Sequence, residues 1–410
     1  MEEIFIVGTV LRYALIADTF PPLRSSGAVQ VRDLSLEFHR QGHEVTVLVA
    51  DSGIKNPWEL DTLDGVRVLR LKSPKTKDVG YIRRTAGEFL MPHWMLRNFR
   101  RCPLADESWD GIVWYSPTIF LGPFVNALKR SSKCRGYLIV RDIFPEWAVD
   151  LGLMGKGPAY WFFKTVATNQ YSIADVIGVQ SPGNLAYFKD IDQSRGKRVE
   201  VLQNWLSKTP NVGCSINLSR TQLSNKIVFV YAGNMGVAQG MDLILDLAGH
   251  LKDRKDIGFL FVGRGSEFER MRRFAKSENL DNVVFFDQID PSEIPGLYAQ
   301  CHVGLLTLDP RHKTHNIPGK FLSYMQGGLP VLASVNAGND LEKIINEGRV
   351  GRVCTDHSAH TLSRLAIILV DEIISGKNMS KECRKLSEQR FSSSAAVRQI
   401  TLSLLGKDES

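Results

Sequence analysis

The feature that most constrains this chain is an alternation that restarts once. Short apolar runs are followed by helical stretches along nearly its whole length. In the first series Tyr13–Ala17 ends at Asp18. The helix after it carries Val31, Leu34 and Phe38 at i, i+3 and i+7, and Gly42 stops it. Val45–Ala50, Val66–Leu71, Gly111–Tyr115, Tyr137–Val140, Val176–Gln180 and Val199–Leu202 read as the next strands. The second series runs Ile227–Ala232, Phe259–Gly263, Val283–Phe286, Val303–Thr307 and Val331–Ala333. Strands separated by helices imply parallel sheets covered on both faces. The expected fold is therefore α/β, with two Rossmann-like domains facing each other across an interdomain cleft. Ligands of such sheets bind at the carboxyl ends of the strands.

A length of 410 residues suits such a pair. The polar stretch from Gln203 to Lys226, with Pro210 and Gly213, marks the break. The expected organisation is an N-terminal domain over 1–205, a linker over 206–226 and a C-terminal domain over 227–388. A helix over 389–410 is expected to pack back on the N-terminal domain. The most apolar window, Pro158 to Val179, is broken by Lys164, Asn169, Gln170 and Asp175, so no spanning helix is expected. The opening MEEIFIVGTV has acids where a signal peptide carries bases. The six cysteines form no C-x-x-C pair, and a reducing cytoplasm is the expected compartment.

The net charge of +7 is concentrated in one place. Between Arg70 and Arg101 stand Arg70, Lys72, Lys75, Lys77, Arg83, Arg84, Arg97, Arg100 and Arg101 against Asp78 and Glu88. Within that stretch, Tyr81 to Arg101 interleaves arginines with Tyr81, Phe89, Trp94 and Phe99. This combination suits an anionic membrane surface, met through Arg83, Arg84, Arg97, Arg100 and Arg101. A core helix with a solvated basic face is the competing reading. Pro92 is expected to break the stretch into two short helices. No nucleic-acid-binding motif is present, so nucleic acid is not an expected partner.

Several loops carry candidate chemistry. The first strand is followed by Thr19 to Gly27 rather than by G-x-G-x-x-G, which disfavours NAD(P). Ser25, Ser26 and Gly27 precede a helix and either face an anion or sugar, or simply cap that helix. Gly233, Asn234, Gly236 and Gln239 lie in a Gly-rich strand-to-helix turn, and Gly263-Arg264-Gly265 forms a second. Arg264 there either meets a phosphate or is solvated. Asp142 and Glu146 follow a strand and either orient a hydroxyl or cap a helix. In the segment Thr314 to Ala333, Pro318 fits the first turn of a helix that Gly327 and Gly328 end. Lys320 in that first turn opposes the helix dipole unless an anion is bound, which favours a phosphate role.

The motifs, taken together and in order, resemble glycosyltransferase family 4, a family with the GT-B fold. They are the P-P-x-x-x-x-G loop at Pro21–Gly27, "GHEVTVL" at Gly42–Leu48, "NW" at Asn204-Trp205 and "YAGNMGVAQGMD" at Tyr231–Asp242. "FVGRGSE" at Phe261–Glu267, "NVVFFDQI" at Asn282–Ile289 and "IPGKFLSYMQGGLPVLA" at Ile317–Ala333 complete the set. The details resemble the branch from bacterial O-antigen and capsule clusters that includes L-fucosamine transferases. The family's E-x7-E is absent, its positions being taken by His315 and Ser323, and the usual Arg and Lys of another segment by Asn234 and Gln239.

The resemblance implies a retaining, metal-independent transferase without a cofactor. It would move a sugar, an N-acetylated deoxyhexosamine, from a UDP-sugar to a lipid-linked glycan in lipopolysaccharide or other surface polysaccharide assembly. The first domain would then take the acceptor and the second the nucleotide-sugar. The implied catalytic residues are Lys320 and Asp142. The implied donor contacts are Gly233, Asn234, Gly236, Gln239, Gly263, Arg264, His315, Asn316, Pro318, Gly319 and Ser323. Ser25, Ser26, Gly27 and Glu146 would form an acceptor or phosphate loop. The protein would work at the inner face of the cytoplasmic membrane, peripherally bound. A sugar-nucleotide epimerase on the same fold and a non-catalytic GT-B partner subunit are the alternatives.

Overall fold

The structure is a computed structural model that describes residues 10–23, 25–189, 197–236, 239–309 and 317–407. The chain divides into two compact units, Met1–Gln203 with Ser393–Ser410, and Asn204–Ser392.

The first unit is built on an eight-stranded sheet. Its strands are β1 (Arg12–Ala17), β2 (Glu44–Asp51), β3 (Trp58–Leu63), β4 (Val66–Lys72), β5 (Gly111–Tyr115), β6 (Arg135–Val140), β7 (Val176–Val179) and β8 (Arg198–Val201). The order across the sheet is β3-β4-β2-β1-β5-β6-β7-β8. Pairing is parallel throughout except between β3 and β4. Its helices are α1 (Ser26–Arg40), α2 (Tyr81–Phe99), α3 (Gly122–Ser132), α4 (Glu146–Asp150) and α5 (Pro158–Ile173).

The second unit has a six-stranded parallel sheet ordered β11-β10-β9-β12-β13-β14. The strands are β9 (Ile227–Asn234), β10 (Ile257–Arg264), β11 (Val283–Asp287), β12 (Val303–Thr307), β13 (Val331–Ser334) and β14 (Gly351–Cys354). Its helices are α6 (Met241–His250), α7 (Phe268–Ser277), α8 (Ile294–Tyr298), α9 (Gly319–Gly327), α10 (Asp340–Gly348), α11 (Ala359–Ile374) and α12 (Ser380–Arg390). The last helix, α13 (Ser393–Leu405), belongs to the first unit. Strands such as Phe259–Val262 are buried along their full length, as a sheet covered on both faces requires.

Four sequence expectations need correction. The stretch 206–226 is not a free linker. Ile216, Leu218 and Leu223 are buried in the core of the second unit, and Gln300 ties the stretch down: its Nε2 donates to Ile216 O and its Oε1 accepts from Leu218 N. Polar composition concealed three well-spaced apolar anchors. The second unit also extends past 388, because the Phe391 ring packs edge-on against Phe321 at 5.8 Å and Leu206 N donates to Phe391 O. Strand β3 was not expected, since most of its residues are exposed or half-buried at the sheet's edge. Its signal was Asp64-Gly65, both at positive φ (48° and 88°), a hairpin turn joining β3 to β4. Finally, α2 runs unbroken through Pro92, which removes one helical donor. Burial of Met91, Pro92 and Met95 against the sheet holds both halves on one axis.

The chain's return to the first unit is fixed by a buried carboxylate. Glu200 of β8 accepts from Tyr137 Oη at 2.8 Å, and from Gln399 Nε2 and Ser403 Oγ of α13, both at 2.9 Å.

Candidate active site

In the second unit the connections after β9 and β12 leave in opposite directions between neighbouring strands. That is a topological switch point, where open sheets leave a crevice at the strand ends. The Gly-rich turn after β9 stands there. Gly233 and Asn234 pair in register with Gly263 and Arg264 of β10, and Met235 N donates to Arg264 O at 2.8 Å. A side chain at Gly263 would strike the Gly233 carbonyl oxygen, at 2.0 Å, so the two turns meet backbone to backbone. Past the turn, Gly236 N donates to Gln239 Oε1 at 2.9 Å. Gln239 thus closes its own loop.

Lys320 reaches this turn from α9. Pro318 is the N-cap (φ −64°, ψ 141°) rather than a first-turn residue, and among the described residues no side chain caps the helix. In that first turn Phe321 N donates to Pro318 O at 3.0 Å. The loop before α9 is fastened by Asn204, whose Nδ2 donates to Ile317 O at 2.7 Å. Lys320 lies across Gly233. A Cβ on Gly233 would come within 2.8 Å of Lys320 Cε and 3.2 Å of Nζ, and the backbone there has φ of 137°. The ammonium sits 4.7 Å from the centre of the Tyr231 ring. Among the described residues no carboxylate pairs with it. Loss of water with no compensating anion pulls its pKa down to about 8.

Arg264 is exposed and makes no ion pair among the described residues. Ser323, one turn along α9, donates back to Gly319 O at 3.2 Å, so its hydroxyl is engaged with its own helix. His315 and Asn316 lie outside the described residues.

In the first unit the switch point falls between β1 and β5. Ser25 there is the N-cap of α1, accepting from Ala28 N at 3.2 Å, and its hydroxyl also meets Thr19 Oγ1 at 2.9 Å. The capping reading of this loop is therefore realised, with Ser26 and Gly27 in the first turn. Asp142 follows β6 and is half-buried. Glu146 heads the short α4 and is paired with Lys164. Two neighbours went unremarked in the sequence. Arg141 is buried, its guanidinium 5.9 Å from the Tyr115 ring centre and donating to Leu202 O at 3.3 Å. Asp18, at the end of β1, keeps a buried Oδ1 without a hydrogen-bond partner among the described residues, and burial raises its pKa. Arg141 opens the "RDIFPE" stretch at Arg141–Glu146, whereas Asp18 belongs to no motif.

Residues 226–372, which hold the β9 turn, Lys320 and all six strands of the second sheet, match the family Glycosyl transferases group 1. The chain carries a glycosyl transferases group 1 domain. Two curated relatives agree. "Probable glycosyltransferase WbjE" of Pseudomonas aeruginosa is 27% identical over 243 residues, 58% of this chain and 59% of that protein. WcaI of Escherichia coli K12, named for glycosyl transfer in colanic acid biosynthesis, is 27% identical over 212 residues, 49% and 52% of the two chains. The matches thus span between half and three-fifths of those relatives' length.

Solved structures extend the likeness of fold to both units. Anabaena HepE in complex with UDP and glucose has TM-score 0.67 at 16% identity, covering 97% of this chain and all of that one. WaaG, a glycosyltransferase involved in lipopolysaccharide biosynthesis, has TM-score 0.64 at 15% identity, covering 96% and all of the two chains. The architecture is that of GT-B glycosyltransferases.

Outside the group 1 domain, α2 presents the basic segment. Tyr81 and Ile82 are 89% and 88% exposed, and Arg83, Arg97, Arg100 and Arg101 face solvent. Arg84 pairs with Glu88 at 2.8 Å. The exposed apolar surface continues onto α5, because Phe89 meets Phe162 with ring centres 6.4 Å apart, and Trp161 beside it is 61% exposed. Met91, Met95 and Phe99 enter the core, while the arginines and other rings stay outside. No described helix is long and apolar enough to cross a membrane.

Proposed function

We propose that this protein is a retaining glycosyltransferase that takes its sugar from a UDP-sugar bound by the second unit and passes it to a lipid-linked glycan. The observation that carries the reading is Lys320, a half-buried cation with no counter-ion among the described residues, in the first turn of α9 and against the Gly233 turn. An ammonium in that position is complementary to an anion. The departing diphosphate gains charge in the transition state, so a cation and backbone N–H donors already in place lower the barrier. Arg264 adds a second cation on the neighbouring turn. In this reading no metal is required, and the leaving phosphate takes the proton of the acceptor hydroxyl that Asp142 orients. HepE, whose fold this chain shares, is described in complex with UDP, which supports the choice of nucleotide.

The setting proposed is lipopolysaccharide or related surface polysaccharide assembly, in line with what the names of WcaI and WaaG say of those proteins. The donor sugar is proposed to be an N-acetylated deoxyhexosamine. The arginines and rings of α2 and α5 would hold the enzyme on the inner face of the membrane, where a lipid-linked acceptor is presented.

Titration calorimetry with UDP tests the site. Wild type should bind, and Lys320→Met should lose most of the affinity while remaining folded. Equal affinity in both would remove Lys320 from the site.

A further inference from the structure

Lys320 raises a question that the nucleotide-sugar reading leaves open: what keeps its ammonium in place before an anion arrives? A half-buried lysine has four rotatable bonds and every reason to swing toward water. A carboxylate would hold it, but would also cancel the charge that a diphosphate needs. An aromatic ring holds a cation through its quadrupole and leaves the net charge intact.

Tyr231 supplies such a ring. Its face lies 4.7 Å from Nζ, inside the distance at which the attraction operates. The ring is fully buried in β9, so it does not move to meet the lysine. Its hydroxyl donates to Asn234 O at 2.8 Å, across the Gly233 turn. The bare Cα of Gly233 then leaves the space through which Lys320 passes over the strand. We propose that Tyr231 is a positioning residue: its ring face holds the Lys320 ammonium and its hydroxyl holds the Asn234 carbonyl, so one side chain sets both the cation and the turn. The inference rests on the nucleotide-sugar reading for the identity of the anion, but not for the placement of the lysine.

The surroundings make the contact measurable. Among the described residues the other titratable groups packed about α9 include Tyr324 on the same helix, Tyr298 on α8, Cys301 just after α8, and Cys383 on α12, all kept neutral by burial. Arg384 of α12 lies at the opposite end, against Gly328. Desolvation lowers the pKa of Lys320, and the ring face 4.7 Å from its ammonium opposes that shift and can be removed by substitution.

The test is a pH titration of the intact protein with 13C-labelled lysine, the Lys320 signal being assigned by its loss in Lys320→Met. The Lys320 midpoint should lie near 8 in wild type and in Tyr231→Phe, which keeps the ring. In Tyr231→Leu it should fall by about half a unit or more, since a cation without its ring is less stable. If the leucine variant fails to fold, pentafluorophenylalanine at 231 keeps the shape, reverses the quadrupole and should lower the midpoint likewise. An unchanged midpoint in the ring-deleted or fluorinated protein overturns the proposal. UDP added to each sample should raise the wild-type midpoint. If it raises none while the Tyr231 effect persists, the nucleotide-sugar reading fails and the positioning role stands.

Discussion

At the scale of the residue, Lys320 carries a penalty that the folded protein tolerates. Its pKa in the folded chain, about 8, lies below the ordinary 10.5, so between those values the unfolded chain binds the extra proton. The destabilisation is fully present below pH 8 and is relieved as the pH rises toward 10.5. A shift of that size corresponds to roughly 3 kcal/mol. Lys320→Met should therefore melt higher than wild type at pH 7, by ~1–3 kcal/mol of unfolding free energy, with the gap closing above pH 10. Denaturant titrations at the two pH values check this, and a variant less stable at pH 7 would contradict it. Gly233→Ala works from the other side. Its methyl group would displace Lys320 from the turn, and the left-handed φ adds backbone strain. We expect a folded protein, destabilised by about 1–3 kcal/mol, with UDP affinity reduced to the level of Lys320→Met. Affinity close to wild type would place the anion elsewhere.

At the scale of the element, α2 and α5 differ from ordinary solvated helices in what they expose. Lys164 is the one charged residue on α5, and it is paired with Glu146. The acid on α2, Glu88, is paired with Arg84. What remains outside is a set of rings beside unpaired arginines, chemistry that matches a bilayer interface carrying anionic lipid. The protein should pellet with phosphatidylglycerol vesicles at low salt and be released by raised salt. Replacing Arg83, Arg97, Arg100 and Arg101 by Gln should abolish pelleting. Trp161→Ser with Phe162→Ser should weaken it about tenfold or more, as expected for two inserted rings. UDP binding should be unchanged in both. Failure of wild type to pellet would return this face to solvent or to another partner.

Elements also show how much could be read beforehand. Every strand named from the apolar runs is present, because a strand buried on both faces has few alternatives to a continuous apolar run. Strand β3 escaped because an edge strand need not be apolar, and β14 because Gly351–Cys354 opens on a glycine and an arginine rather than an apolar run. The Gly-rich turn and Lys320 were legible as motifs. The Tyr231 ring beneath the lysine and the Asn204 amide on the Ile317 carbonyl were not, since both contacts join segments about ninety residues or more apart.

At the scale of the whole molecule, the chain leaves the first unit after Gln203 and returns to it at Ser393. The returning helix closes on Glu200, whose carboxylate is buried with Tyr137, Gln399 and Ser403. Glu200→Ala takes a shared buried acceptor from Tyr137, Gln399, Ser403 and Arg198, and should destabilise the first unit by about 3–5 kcal/mol. Two calorimetric transitions should then separate, the one assigned to the first unit moving down and the other holding. A single transition with no change in midpoint would deny α13 this role.

The central claim is glycosyl transfer from a UDP-sugar, and transfer itself is its most direct test. Radiolabelled UDP-sugars are incubated with the protein and membranes carrying lipid-linked glycan, and label is followed into the organic-extractable fraction. The account predicts label in that fraction with at least one UDP-N-acetylated deoxyhexosamine, reduced about 10²–10³-fold in Lys320→Ala. Conversion of the free sugar-nucleotide without transfer, or tight UDP binding with no turnover of any donor, would contradict it.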